Sequence, residues 1–237
     1  MDAGQAKKRA VPPETVLRFR QPSIRALALA VSLLAPPRCG VCAGPCPAPE
    51  PVCERCTESL TRGVPSSRAV AGLQQLWAAV PYEREARELI AALKFRRLLP
   101  LARVAAAVMA AGIPAHLAGA TIVPVPPAPA RLRSRGVDPA EEIAAALGRL
   151  IDARLARCLG RGNSQRQVGR PRSERLADPP TFLAVAQPPA FALLVDDVAT
   201  TGATLCACAG ALRRAGAARI AAVTFASAER ESTRVVR

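Results

Sequence analysis

Two carboxylates stand side by side at the end of an apolar run in LLVDDVATTGATL, residues 193–205. Leu193, Leu194 and Val195 read as a buried strand, so Asp196 and Asp197 fall where a parallel sheet ends and a ligand crevice opens. Adjacent carboxylates there accept hydrogen bonds from vicinal hydroxyls, directly or through a divalent metal, which suits a ribose. The segment ATTGAT then turns into a helix N-terminus. Free backbone N–H groups, the hydroxyls of Thr200, Thr201 and Thr204 and the helix dipole converge at such a point, which suits a monophosphate. Gly202 lets the backbone approach an anion closely. The stretch reads as a cradle for a ribose 5-phosphate.

A second chemistry is concentrated near the N-terminus, where five of the eight cysteines fall in CGVCAGPCPAPEPVCERC, residues 39–56. Cys39-x-x-Cys42 and Cys53-x-x-Cys56 are two knuckles that can fold their thiolates onto one tetrahedral ion, and zinc is the expected metal. Protein ligands fill all four positions, so the ion is expected to be structural, because a catalytic zinc keeps one position open. Disulfides would instead need an oxidising compartment, for which the sequence carries no targeting signal. Cys46 is left over in a Gly/Pro-rich loop, and residues 39–60 are expected to form loops without a core of their own until the ion binds. Cys158, Cys206 and Cys208 are isolated, and Cys206 and Cys208 fall in the helix after the acids, where small buried hydrophobes are the default. His116 is the one histidine and lies in a turn-like stretch, so a serine–histidine or cysteine–histidine nucleophile has no support.

The elements that must position these groups alternate. LQQLWAAVPY reads as a strand at about 73–82 and EREARELIAALKFRR as a helix with an apolar face, followed by a second helix after Pro100. ATIVPVP is a buried strand ending in prolines, and residues 138–159 read as one long helix opened by Asp138 as N-cap and Pro139 in the first turn. AFALLVDDV, residues 202–216 closed by Gly216, and RIAAVTFAS supply a strand, a helix and a final strand. This alternation implies a parallel sheet covered on both faces. Residues 65–72 read as a linker, and the basic stretch from Leu159 to Thr181 as a long loop that is either a functional lid or disordered, the lid being favoured where neighbouring strand ends form an anion site.

Thirty-three Lys and Arg against 18 Asp and Glu give a net charge of +15, which favours anionic partners without choosing among phosphorylated small molecules, nucleic acid and acidic lipid. Seven aromatic residues with no basic alternation give little support to a base-stacking single-strand platform. KKR at 7–9 and the apolar run at 26–36 imitate a signal peptide incompletely, without a small-residue cleavage site, and the run is too short to span a bilayer. The expected location is therefore cytoplasmic, with no integral membrane segment. The expected organisation is a disordered tail over 1–22, a short apolar helix over 23–38, the zinc module over 39–60, an α/β domain over 61–228 and a tail over 229–237.

VDDVATTGAT resembles the phosphoribosyl-diphosphate motif of type I phosphoribosyltransferases. Taken in order, the four-cysteine knuckle, ALKFRR at 92–97, IVPVPPAPARLRSRGVDPAEEIA at 122–144, Gln167 to Arg175 and the cradle resemble the ComF family, the amidophosphoribosyltransferase-like competence proteins. The resemblance covers about residues 30–228. It implies a type I phosphoribosyltransferase fold, a parallel sheet flanked by helices, with an N-terminal zinc module. It also implies binding of phosphoribosyl diphosphate with magnesium, and a part in DNA uptake or processing with competence proteins as partners. The alternative is an active phosphoribosyltransferase on an amine or base acceptor, unrelated to DNA. By this resemblance Asp196 and Asp197 hold the ribose hydroxyls, and Thr200, Thr201, Gly202, Ala203 and Thr204 the 5-phosphate. Arg131, Arg135 and Gly136 occupy the place of the diphosphate loop, with Arg135 set beside the two acids as catalytic. Lys94 matches a recurrent element, and Gln167 and Arg175 match the lid. Where the family's pattern reads Arg-Gly-Phe-Asn-Gln, this chain has Arg135, Gly136, Val137, Asp138 and Pro139, which brings negative charge toward the diphosphate position.

Overall fold

The computed structural model describes residues 37–162 and 181–228. The expected tails at 1–22 and 229–237, nearly all of the expected helix at 23–38, Gln167 and Arg175 lie outside the described residues.

Sequence patterning places the strands. Residues rich in Val, Leu, Ala and Phe form β2 (Leu76–Pro81), β3 (Thr121–Pro124), β6 (Phe191–Ala199) and β7 (Arg219–Ser227), which run parallel in the order β2-β7-β6-β3. A short strand β1 (Ser66–Arg68) joins β2 antiparallel at one edge, inside the stretch that the sequence suggests is a linker. Its polar residues carry no hydrophobic alternation, so only the free edge of β2 gives them a reason to be extended. β4 (Leu159–Arg161) and β5 (Phe182–Ala184) pair antiparallel in a separate ribbon.

Helices cover both faces of the sheet. α1 (Glu54–Thr61), α2 (Arg84–Phe95), α3 (Pro100–Gly112) and α5 (Pro139–Ile151) lie on one side, where their apolar residues share a core with Leu193, Val195, Val223 and Phe225. α6 (Ala203–Arg214) and the β4–β5 ribbon lie on the other, packed on Ala192, Leu194, Ile220 and Ala222. This odd–even split is the two-residue side-chain period of a strand. Full burial of Leu193, Leu194 and Val195 stabilises β6 by about 1.5–3 kcal/mol per side chain. A two-turn helix α4 (Pro129–Arg135) occupies the expected diphosphate loop.

Helix ends follow local chemistry. Asp138 Oδ1 accepts the Ala140 N–H at 3.1 Å and Pro139 follows, as expected for the start of α5. The helix expected over 138–159 nevertheless stops at Ile151, because Asp152 turns left-handed (φ 53°) and Ala153 N–H closes on Gly148 O. The chain then runs beside β3, with Ile122 N–H donating to Arg154 O and Ala156 N–H to Ile122 O. The edge of β3 captures a segment whose helical periodicity persists on paper.

Among the described residues no helix is long and apolar enough to cross a membrane.

Candidate functional site

The cysteine cluster is local. The Sγ atoms of Cys39, Cys42, Cys53 and Cys56 all lie within 4.8 Å of one another, and Cys42 and Cys53 are 3.7 Å apart. A tetrahedral zinc with sulfurs at about 2.3 Å spaces them about 3.8 Å apart, whereas a disulfide needs roughly 2 Å. Val41, Cys42 and Cys53 each direct a backbone N–H at Cys39 Sγ, at 3.4–3.5 Å, the donor pattern that supports a thiolate. The Gly44 backbone holds the Cys42 thiol down to about 6, while burial and crowding by neighbouring cysteines push Cys56 up. A cation at the centre relieves that crowding, so these four residues can hold a zinc ion. Cys46 stands outside the cluster, buried, donating to Glu50 O at 3.2 Å.

The module is not made of loops alone. Cys53 and Cys56 sit at the start of α1, and Val41, Val52 and Leu60 join the core of the sheet's helical face. The contact is close at Gly40, where an added Cβ would meet Leu101 at 3.1 Å and Pro51 O at 3.2 Å. The Arg96 guanidinium donates to Gly40 O from the end of α2.

The second site is assembled from distant residues. A cavity of about 520 Å³ opens beyond the carboxyl ends of β2, β3 and β6, lined by Lys94, Asp138, Arg161, Asp196, Asp197 and the hydroxyl residues Thr200 and Thr204. It exists because the sheet divides there. Val125 N–H still donates to Val195 O at 3.0 Å, and Pro126 and Pro127 follow. β6 continues to Ala199 paired with β7 alone, so the acids lie within a strand and not after its end.

Successive strand residues point to opposite faces. Asp197 is turned to the α2 side, is buried, and pairs with Lys94 Nζ at 2.7 Å. Asp196 is turned to the α6 side, where burial and then the Asp196 carboxylate raise the Cys208 thiol. The Asp196 carboxyl also accepts the Asp197 N–H at 2.8 Å. Burial, then the adjacent Asp197 carboxylate, push it up to about 8. Burial pushes Asp138 up to about 6.

The loop after the acids is braced from behind. Arg68 of β1 donates to Thr200 O at 2.5 Å. Gly202 is left-handed (φ 80°) beside Val70 and the Arg68 guanidinium, and it caps α6. Thr201 Oγ1 accepts the Ala203 N–H at 3.3 Å, a local cap. Of the expected ligands, Lys94, Asp196, Asp197, Thr200 and Thr204 line the cavity, while Thr201, Gly202 and Ala203 form the turn beside it. Arg131 and Arg135 lie on α4, which contributes Leu132 to the cavity, and Gly136 is the left-handed cap of α4 with the Arg97 guanidinium against it.

Tyr82 falls in no motif read from the sequence, yet it lines the same space as Asp138 and Arg161. Tyr82 immediately follows β2, and the rule that ligands sit beyond strand ends was the signal available for it. Asp138 reads from sequence as a cap that also brings negative charge toward the expected diphosphate position. No protein-family model matches the chain, and no curated protein is significantly similar to it.

Proposed function

We propose that this chain is a ComF-type protein with a type I phosphoribosyltransferase-like fold that binds phosphoribosyl diphosphate with Mg²⁺ and takes part in competence-related handling of DNA. The observation that carries the reading is the cavity itself, which joins paired acids, hydroxyl residues and the start of α6 beyond the carboxyl ends of a parallel sheet. The acids suit the ribose hydroxyls, and Thr200, Thr204 and the turn at Gly202 suit the 5-phosphate. Three carboxylates face Lys94 and Arg161, so an anionic diphosphate enters more readily with its own divalent cation. The high positive charge of the chain favours the phosphate backbone of DNA as a further partner.

Calorimetric titration of the zinc-loaded chain with phosphoribosyl diphosphate and Mg²⁺ tests the reading. Binding is expected in the wild type and lost in Asp196→Asn/Asp197→Asn, with the fold retained. No binding, or the same affinity in the variant, overturns it. DNA binding followed by fluorescence anisotropy should fall steeply with salt, and its absence at low salt removes the DNA part.

A further inference from the structure

The cavity holds a group suited to taking a proton, which the ribose 5-phosphate reading leaves without a role. Asp138 sits at the head of α5 and lines the same space as Asp196 and Asp197. Its carboxyl is tied to the head of the helix, where Oδ1 accepts the Ala140 N–H at 3.1 Å. The other candidates are engaged. Lys94 is paired with Asp197, and Glu141 accepts the Arg157 Nε–H at 2.7 Å. Burial and the adjacent Asp197 carboxylate disfavour the ionised form of Asp196. His116 is remote from the cavity wall and bonded to Gln75 at 2.7 Å. Among the described side chains no cation forms an ion pair with Asp138.

We propose that Asp138 is the general base of a transfer reaction in this cavity, accepting the proton of a neutral N–H nucleophile as its nitrogen attacks the anomeric carbon of bound phosphoribosyl diphosphate. The N–C bond forms and the C–O bond to diphosphate breaks. The electron pair leaves on diphosphate and the N–H proton goes to Asp138. Burial places this carboxyl near 6, so at neutral pH it is ionised yet basic enough to accept a proton in the transition state. The inference rests on the reading that the cavity binds phosphoribosyl diphosphate.

The test compares full-length, zinc-loaded wild type with Asp138→Asn. Asn caps a helix as well as Asp, so the variant keeps the start of α5. Binding of phosphoribosyl diphosphate with Mg²⁺ is measured by calorimetry, and diphosphate release is measured with water alone and with added ammonium chloride. We expect Asp138→Asn to bind unchanged or more tightly and to release diphosphate about a hundredfold more slowly. In the water reaction, where no amine titrates, the wild-type kcat/KM rises through about pH 6, and the variant loses this limb. Asp138→Glu restores part of the rate. Equal release by wild type and Asp138→Asn overturns the role of Asp138, as does a wild type that binds but releases nothing with either nucleophile, and both leave the binding reading standing. A wild type that does not bind removes that reading and this inference together.

Discussion

The cysteine cluster and the carboxylate cavity are both places where like groups crowd together, and the chain manages them in opposite ways. The cysteines come from one short stretch, are backed by N–H donors, and sit against the main apolar core. The carboxylates are brought together by topology at the one point where the sheet divides. One of them is neutralised by Lys94, while burial raises the carboxyls of Asp196 and Asp138. A metal can satisfy the first cluster permanently. In the second, burial leaves two of the three carboxyls raised, the kind of perturbation that marks a candidate site.

The widest gap between the two regions should appear on stripping metal. Because Val41, Val52 and Leu60 share the core beneath α2 and α3, chelation is expected to lower the melting temperature of the whole α/β body by roughly 10 °C or more, read by scanning calorimetry. Cys46→Ser should keep one zinc per chain. A body that melts unchanged without zinc would show that the module is an ornament on the sheet. Next in size is Lys94→Met, which leaves buried Asp197 without its cation and should cost about 3 kcal/mol in urea denaturation. Adding Asp197→Asn should recover most of that loss, since the two residues act as a pair.

Asp196→Asn should move stability the other way. Burial and then the adjacent Asp197 carboxylate raise its carboxyl to about 8 in the folded chain, against 3.8 for the free group. Between those values the unfolded chain releases the proton while the folded chain keeps it, so stability falls as pH rises. An amide cannot ionise, and the variant is expected to be more stable than wild type at pH 8 and equal to it at pH 3, with ligand binding weakened. A variant less stable at pH 8 would mean that Asp196 is held by a partner. The smallest effect is at the turn, where Gly202→Ala forces a side chain into a left-handed backbone and should cost about 1 kcal/mol, with weaker ligand affinity measured by calorimetry.

The same contrast governs what is legible from sequence. Cys39, Cys42, Cys53 and Cys56 are readable because ligand spacing is a local property and the knuckles close over a few residues. The strands β2, β3, β6 and β7 and the cap at Asp138 are readable for the same reason, through apolar runs and one N-cap. Asp196 and Asp197 declare themselves because a buried strand, two acids and a Thr/Gly turn adjoin. Tyr82 is not readable as a cavity residue, because only the tertiary packing sets the end of β2 against the same space as Asp196 and Asp197. The helix drawn through Asp152 to Leu159 fails where an edge strand offers its backbone groups to a segment with no fixed local preference. β1 is hidden for the same reason, since its pairing comes wholly from β2.

One feature of the ladder also bears on how a ligand enters. In parallel pairing the donor after Val125 would be residue 127, and proline there has no N–H to offer. β3 therefore cannot zip further along β6, and the cleft does not depend on a side chain being pushed aside. A molecule arriving at Asp196 and Asp197 breaks no backbone hydrogen bond between the two strands. The opening is preformed by the absence of a single hydrogen atom, and association there should be limited by diffusion and charge more than by any rearrangement of the sheet.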